Sequence, residues 1–253
     1  MLSSHWARFG GDYDHVLGAR NPARKKIRMN PFHLYLDSAD LNEIRSCLPH
    51  PVVHGVTTNP TLLKRAGVTR AALPGLLAQC LTLGARQVQA QVQSADAEGM
   101  LADAEALLKP FDPGQLVVKI PATRAGFAAG AQLTARGVPV TYTAVYAAEQ
   151  AHFAGQLGAA YAAPYLGRLE DSGVDGLALI AQMQSLLAGS DTRLLVASIR
   201  SRSAYLALLG LGVGSITIPP RLFAELLDHE ATLAAERGFL ADANFGAAGD
   251  SKP

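Results

Sequence analysis

The sequence predicts a (β/α)8 barrel, an α/β fold of the TIM type, followed by a C-terminal helical extension. Three observations carry that expectation. Short apolar runs recur about every 20–30 residues from Phe32 onward, eight times over. Longer stretches with helical spacing separate them. Polar residues gather at the C-terminal ends of the runs, the rim where barrels of this kind do their chemistry. An open, doubly wound sheet is the competing arrangement. It would normally carry a glycine-rich turn after its first strand, and Asp37-Ser38-Ala39-Asp40 has no glycine.

The expected strands are 32–37, 52–56, 87–92, 116–120, 138–142, 160–163, 194–197 and 214–218. Between the second and third, Leu73, Leu76, Leu77, Cys80 and Leu81 repeat at helical spacing. Leu177, Ile180, Gln184 and Leu187 keep a weaker stripe of the same kind. Ser94 is the expected N-cap of a helix running to about Leu108, with Asp96 and Glu98 in its first turn. Gly84, Gly137 and Gly212 each stand just before a strand, where glycine closes a helix. After Pro220 a helical pattern continues through Leu222, Leu226, Leu227, Leu233, Phe239 and Leu240, further than closing a barrel requires.

Composition narrows the function classes. The chain has 253 residues, almost half of them apolar, with a formal net charge of +1. That suits one large domain and gives no reason to invoke nucleic acid or an anionic membrane. No apolar run approaches the ~18 residues a membrane helix needs. The two cysteines, Cys47 and Cys80, have no ligand spacing and read as core thiols of a reducing, cytoplasmic compartment. The histidines are scattered, without HxH, HExxH or a mixed Cys/His cluster, so no dedicated metal site is expected. Residues 1–30 are basic, through Arg8, Arg20, Arg24, Lys25, Lys26 and Arg28, and lack the apolar core of a secretory signal. They read as a poorly ordered N-terminal extension, with residues 31–253 forming the barrel and its C-terminal helix.

Lys119 stands out. It lies near the end of Leu116-Val117-Val118-Lys119-Ile120-Pro121, a run too apolar to favour a charge. Burial disfavours an ammonium and can lower a lysine pKa by about 3–5. A lysine that is partly neutral near pH 7 attacks carbonyl carbon and yields a Schiff base. The alternative is a lysine whose stem lies in the core while its head reaches water. The other strand ends supply Asp37, then Thr57-Thr58-Asn59, Gln91, Thr143, Tyr165 with Arg168, and Ser198 with Arg200. Each alone could be a cap or turn residue. Together, seven of eight strands deliver a polar group to one rim. A lysine, a carboxylate, hydroxyls, amides and two arginines suit a polyhydroxylated anion, with the arginines as a phosphate clamp.

In order along the chain, LYLD, GVTTNP, AQV, VVKIP, TAVY, APY-x-x-R and AS-x-R resemble the transaldolase family of class I aldolases. The match runs from about Leu34 to Thr217 and is most similar to the short, single-barrel branch that includes fructose-6-phosphate aldolase. The resemblance implies a Schiff-base Lys119, and Asp37 handling the substrate hydroxyl proton as the C3–C4 bond breaks. It also implies Thr57 and Asn59 on substrate hydroxyls. Gln91, Thr143 and Tyr165 would sit around a catalytic water, with Arg168, Ser198 and Arg200 on the phosphate. It implies sugar-phosphate substrates, no cofactor, and a ring-like homo-oligomer packed through the C-terminal helix. A protonated imine is an electron sink for the carbanion that cleavage leaves, so covalent catalysis takes the place of a metal.

Two positions bear on subtype. Transaldolases proper generally carry Glu where this chain has Gln91 and Phe where it has Tyr165. The Gln/Tyr pair resembles the aldolase branch, which releases dihydroxyacetone. Arg200 stands where that branch often has lysine, keeping open a transaldolase that passes the unit to an aldose phosphate, as in pentose phosphate chemistry. Tyr142 stands where the family usually has glycine and is expected to place a large ring near Lys119. A non-catalytic barrel that binds sugar phosphates is the rival from another class.

Overall fold

Hydrogen bonding links the eight apolar runs into a closed, all-parallel barrel in sequence order, with the last strand returning to the first. The computed structural model describes residues 32–245, so the expected N-terminal extension lies outside the described residues. The strands are β1 (His33–Asp37), β2 (Val53–Thr57), β3 (Gln87–Gln91), β4 (Leu116–Pro121), β5 (Val140–Val145), β6 (Tyr161–Pro164), β7 (Arg193–Val196) and β8 (Ser215–Ile218). The helices from β1 to β4 are α1 (Leu41–Cys47), α2 (Pro60–Arg65), α3 (Leu73–Thr82) and α4 (Ala97–Leu108). Those from β4 to β7 are α5 (Arg124–Ala135), α6 (Ala148–Gln156), α7 (Leu166–Asp171) and α8 (Gly176–Leu186). The chain ends with α9 (Arg202–Gly210), α10 (Pro220–Leu227) and α11 (Glu230–Phe245). The doubly wound alternative is overturned by the β1–β8 pairing, which leaves no sheet edge.

Strand alternation sorts side chains into two cores. Leu34 and Leu36 of β1, Val88 and Ala90 of β3, and Leu116, Val118 and Ile120 of β4 face the helices and join the outer core. The intervening residues point into the barrel, where Tyr35, Val117, Tyr161, Ala163 and Leu195 pack as an inner plug. The same parity places Lys119 inside, directly above Val117. It also explains β3, whose Gln-Val-Gln-Ala-Gln sequence keeps its apolar residues outward and its amides inward.

Beneath the plug the interior is polar, with the Arg193 guanidinium 3.2 Å from His33 Nδ1. His33 and His54 stack with ring centroids 3.7 Å apart. The Tyr161 hydroxyl lies 2.7 Å from both His33 Nδ1 and the Tyr35 hydroxyl. Burial first, then neighbouring His54 and Arg193, pushes His33 down to about 3. Burial, with Arg86 and Arg193, takes His54 to about 4. Both imidazoles are therefore neutral at pH 7, and this stacked pair carries no charge into the barrel from below.

Three local expectations need correction. β5 runs to Val145, not 142: Pro139 has no N–H to start the ladder, and pairing to β6 continues past a bulge to Val145 and Pro164. The N-cap of α4 is Asp96, whose carboxylate accepts from Gly99 N at 2.8 Å. Ser94 lies outside the helix because the Asp103 carboxylate holds the Gln93 and Ser94 N–H groups, each at 2.8 Å. Tyr142 does not approach Lys119. It falls on the outward parity, fully buried against α5, with its ring 4.8 Å from that of Phe127.

The space for Tyr142 comes from Gly130 on α5. A Cβ at position 130 would sit 2.6 Å from Tyr142 Cζ, well inside contact distance. Gly130→Ala is therefore expected to destabilise the protein by about 1–3 kcal/mol, the cost of overpacking, read as a lower urea midpoint. Combining it with Tyr142→Leu, which removes the para carbon and hydroxyl, should recover part of the loss. An unchanged midpoint in Gly130→Ala would show that the helix shifts freely to accept the methyl.

Candidate active site

Lys119 reaches the rim from the apolar strand β4 with only 3% of its surface exposed. Its ammonium does not extend to bulk water; Nζ donates to the Thr58 carbonyl at 3.0 Å. Thr58 is itself fixed, because its N–H and its hydroxyl both donate to the Gln89 carbonyl, at 3.0 and 2.9 Å. The amine is thus anchored through one carbonyl at the β2–α2 turn, the turn written in the sequence as Thr57-Thr58-Asn59-Pro60.

Asp37 ends β1 and does not cap the next helix. Asp40 does that, accepting from Asn42 N at 2.8 Å and Glu43 N at 3.3 Å. Asp37 instead accepts from the Thr57 hydroxyl at 2.7 Å, and Thr57 lies 2.7 Å from the Thr217 hydroxyl of β8. With Thr57 donating to the carboxylate, Thr217 must donate to Thr57. Burial pushes the Asp37 carboxyl above its ordinary range, opposed chiefly by the Lys119 charge and then by the Thr57 hydrogen bond. A carboxylate in that condition is a better proton acceptor than a solvated one, and the nearby cation keeps it ionisable.

The opposite wall comes from β5 to β7. The Tyr165 and Thr143 hydroxyls are 2.7 Å apart. The Arg168 guanidinium lies over the Tyr165 ring, 4.8 Å from its centroid, and donates to the Tyr146 hydroxyl at 3.4 Å. Ser198 adopts φ +61°, a left-handed conformation costing a non-glycine residue about 1–2 kcal/mol. It is held by Gly167 N–H donating to its carbonyl at 3.1 Å. Gly167 also lets the start of α7 approach the segment between β7 and α9, since a Cβ there would stand 2.7 Å from both Arg200 Nε and the Ser198 carbonyl oxygen. Arg200 makes a bidentate pair with Asp171, both contacts at 2.6 Å.

These groups enclose a cavity of about 360 Å³. Asp37, Asn59, Lys119 and Tyr165 line it, as do Arg168, Ser198 and Arg200. Asn59 also serves the helix, its Oδ1 accepting from Leu62 N at 3.0 Å as the N-cap of α2. Thr57 and Thr143 stand behind, touching Asp37 and Tyr165. Gln91 is placed differently. It pairs in register with Lys119 but lines the adjoining cleft with Lys64, Arg70, Ser94 and Pro121.

Sequence reasoning passed over Gln89, Thr217 and Arg65, and gave Thr58 no role of its own. Gln89 is fully buried, accepting from Thr141 Oγ1 at 2.8 Å, with its Nε2 unpartnered. Its signal was the polar alternation of β3. Thr217 was legible only as a polar residue sharing the inward face of β8 with Ser215. Among the described residues, no three of His, Cys, Asp and Glu come together as a metal centre would need.

Comparison with known proteins points to one family. A family profile described as Transaldolase/Fructose-6-phosphate aldolase matches residues 34–248. A protein named probable transaldolase from Anaeromyxobacter sp. (strain Fw109-5) is 37% identical over 210 residues, spanning 82% of this chain and 95% of the relative. One of the same name from Thermus thermophilus is 37% identical over 218 residues, spanning 83% and 96%. A third, from Desulforapulum autotrophicum, is 34% identical over 211 residues, spanning 82% and 95%. With the profile covering the barrel from its first strand to beyond its last, this chain is an enzyme belonging to the transaldolase/fructose-6-phosphate aldolase family.

Proposed function

We propose that the protein is a Schiff-base aldolase that cleaves or forms the C3–C4 bond of fructose 6-phosphate or a similar ketose phosphate. The carrying observation is the amine of Lys119, buried at the bottom of a polar cavity that also holds Asp37 and Tyr165. Lys119 Nζ adds to the ketose C2 carbonyl, and loss of water leaves the imine. Asp37 takes the proton from the C4 hydroxyl as the C3–C4 bond breaks, its electrons passing into the protonated imine. The aldose phosphate leaves, and protonation at C3 followed by hydrolysis frees dihydroxyacetone and the amine. Arg168, Arg200 and Ser198 hold the phosphate, while Asn59 binds substrate hydroxyls and Thr57 steadies Asp37. For Arg200 this means sharing or exchanging its exposed pair with Asp171, a pair weak enough to yield.

Transaldolase activity is the second reading, favoured by the names of the relatives and by Arg200. Both reactions share the imine and the cleavage; they part at the fate of the enamine. The Tyr165–Thr143 hydroxyl pair supports water-driven release, because a phenol can order water or donate a proton and phenylalanine cannot. Gln91 then acts from the cleft beside Lys119, on the same water. We further propose a cytoplasmic location and a ring-like homo-oligomer. Within α11, Leu233, Phe239 and Leu240 are exposed at 37%, 72% and 59%, more apolar surface than a solvated helix needs.

Lys119→Met, which keeps stem volume and removes the amine, should abolish turnover without unfolding the protein. Borohydride added with fructose 6-phosphate should leave a mass adduct on the native chain and none on the variant. Near-normal turnover in Lys119→Met would end the Schiff-base reading, and absence of any adduct would favour a sugar-phosphate-binding barrel.

Tyr165→Phe is expected to lower release of free dihydroxyacetone by about 10²–10⁴-fold, the range for one acid–base group, with less effect on transfer to erythrose 4-phosphate. A native protein that transfers efficiently yet releases no dihydroxyacetone is a transaldolase. For assembly, light scattering should give a multiple of the single-chain mass; a clean monomer contradicts the ring.

A further inference from the structure

Asp103 has no contact with the main cavity, yet it is the most heavily used carboxylate near it. It lies on α4 with 6% of its surface exposed, and both oxygens are engaged. Oδ2 accepts from the Gln93 and Ser94 N–H groups, each at 2.8 Å. Oδ1 pairs with the Arg70 guanidinium. Arg70 belongs to the segment that joins α2 to α3, so one carboxylate fastens that segment to the loop between β3 and α4.

Those two segments are the walls of the cleft beside Lys119, a space of about 430 Å³. Lys64, Val68 and Arg70 form one side, and Gln91 with the loop after it forms the other. Gln91 is held at the backbone from two directions. It pairs in register with Lys119, and the next N–H, that of Val92, donates to the Lys119 carbonyl at 3.0 Å. Two residues after Gln91 begins the stretch that Asp103 holds. The side chain of Gln91 meets the same groups, because Gln91, Arg70 and Asp103 together line a recess of about 20 Å³. That is room for about one water among polar partners. A buried carboxylate bonded to two backbone amides and a guanidinium is a stiff strut, and it sets how far apart the cleft walls stand.

We propose that Asp103 and Arg70 are positioning residues for imine exchange: by bridging the cleft they hold the Gln91 amide within reach of the water that leaves and enters at Lys119. In that step Lys119 Nζ adds to the C2 carbonyl. The carbonyl oxygen departs as water with the two amine protons, leaving the imine, and hydrolysis is the reverse. Cleavage of the C3–C4 bond at Asp37 does not pass through this strut. The role builds on the Schiff-base reading and on Gln91 acting at that water.

Rapid mixing with dihydroxyacetone, quenched into borohydride at times from milliseconds to hours, gives the rate of imine formation from the mass of the adduct. Asp103→Asn is expected to slow it by about ten- to hundredfold, the scale of a misplaced active-site group. Arg70 is largely exposed and touches no backbone amide of the loop, so Arg70→Met should slow imine formation without unfolding the protein. Arg70→Lys should restore part of the rate. Introduced into Gln91→Ala, the Asp103→Asn change should alter the rate by less than about twofold, because the group it acts through is gone. Equal slowing with and without Gln91, or a native rate in both Asp103→Asn and Arg70→Met, would overturn the proposal. A native chain that yields no adduct at any time would instead overturn the imine reading itself, and this role with it.

Discussion

One contact organises the site: the Lys119 ammonium, buried at the end of a packed barrel strand, donating to the Thr58 carbonyl. A buried cation with a single neutral partner is costly unless a negative charge lies near, and Asp37 supplies it. The two groups constrain each other. Burial pushes the carboxyl towards its neutral form, and the lysine charge pulls it back. Thr57 and Thr217 then fix which carboxylate oxygen is occupied, leaving the rest of Asp37 for a substrate hydroxyl.

That arrangement depends on strand parity more than on any loop. Because β4 presents Val117 and Lys119 inward, the lysine rests on the inner plug of Tyr35, Val117, Tyr161, Ala163 and Leu195. The neutral His33–His54 stack closes the barrel from below. With the plug beneath and a cavity above, substrate has one approach. The strained Ser198 and the bulge at Ala144, φ +56°, both occur at strand ends on the cavity rim, where backbone is re-aimed towards ligand space.

Most of the fold was legible in the sequence because apolar runs and glycine stops repeat with the βα period. Gly84, Gly137 and Gly212 have φ of +102°, +77° and +71°, as helix-terminating glycines should. What escaped was pairwise and tertiary. No local pattern announces that Asp103 holds the β3–α4 loop and so leaves the N-cap of α4 to Asp96. Tyr142 was misplaced because its neighbour Thr143 faces the site, and adjacent strand residues face opposite ways. Arg65 went unnoticed because it lies beyond a strand end, and only the turn of α2 brings it to the cavity.

The chemistry turns on what Lys119 bonds to. A crystal structure of the native protein reduced with borohydride in the presence of fructose 6-phosphate would answer directly. The prediction is continuous density from Lys119 Nζ to C2 of the sugar, with Asp37 against a sugar hydroxyl and phosphate density at Arg168, Ser198 and Arg200. An unmodified Lys119 under conditions in which the sugar is bound elsewhere, or reduced onto a different lysine, would contradict it.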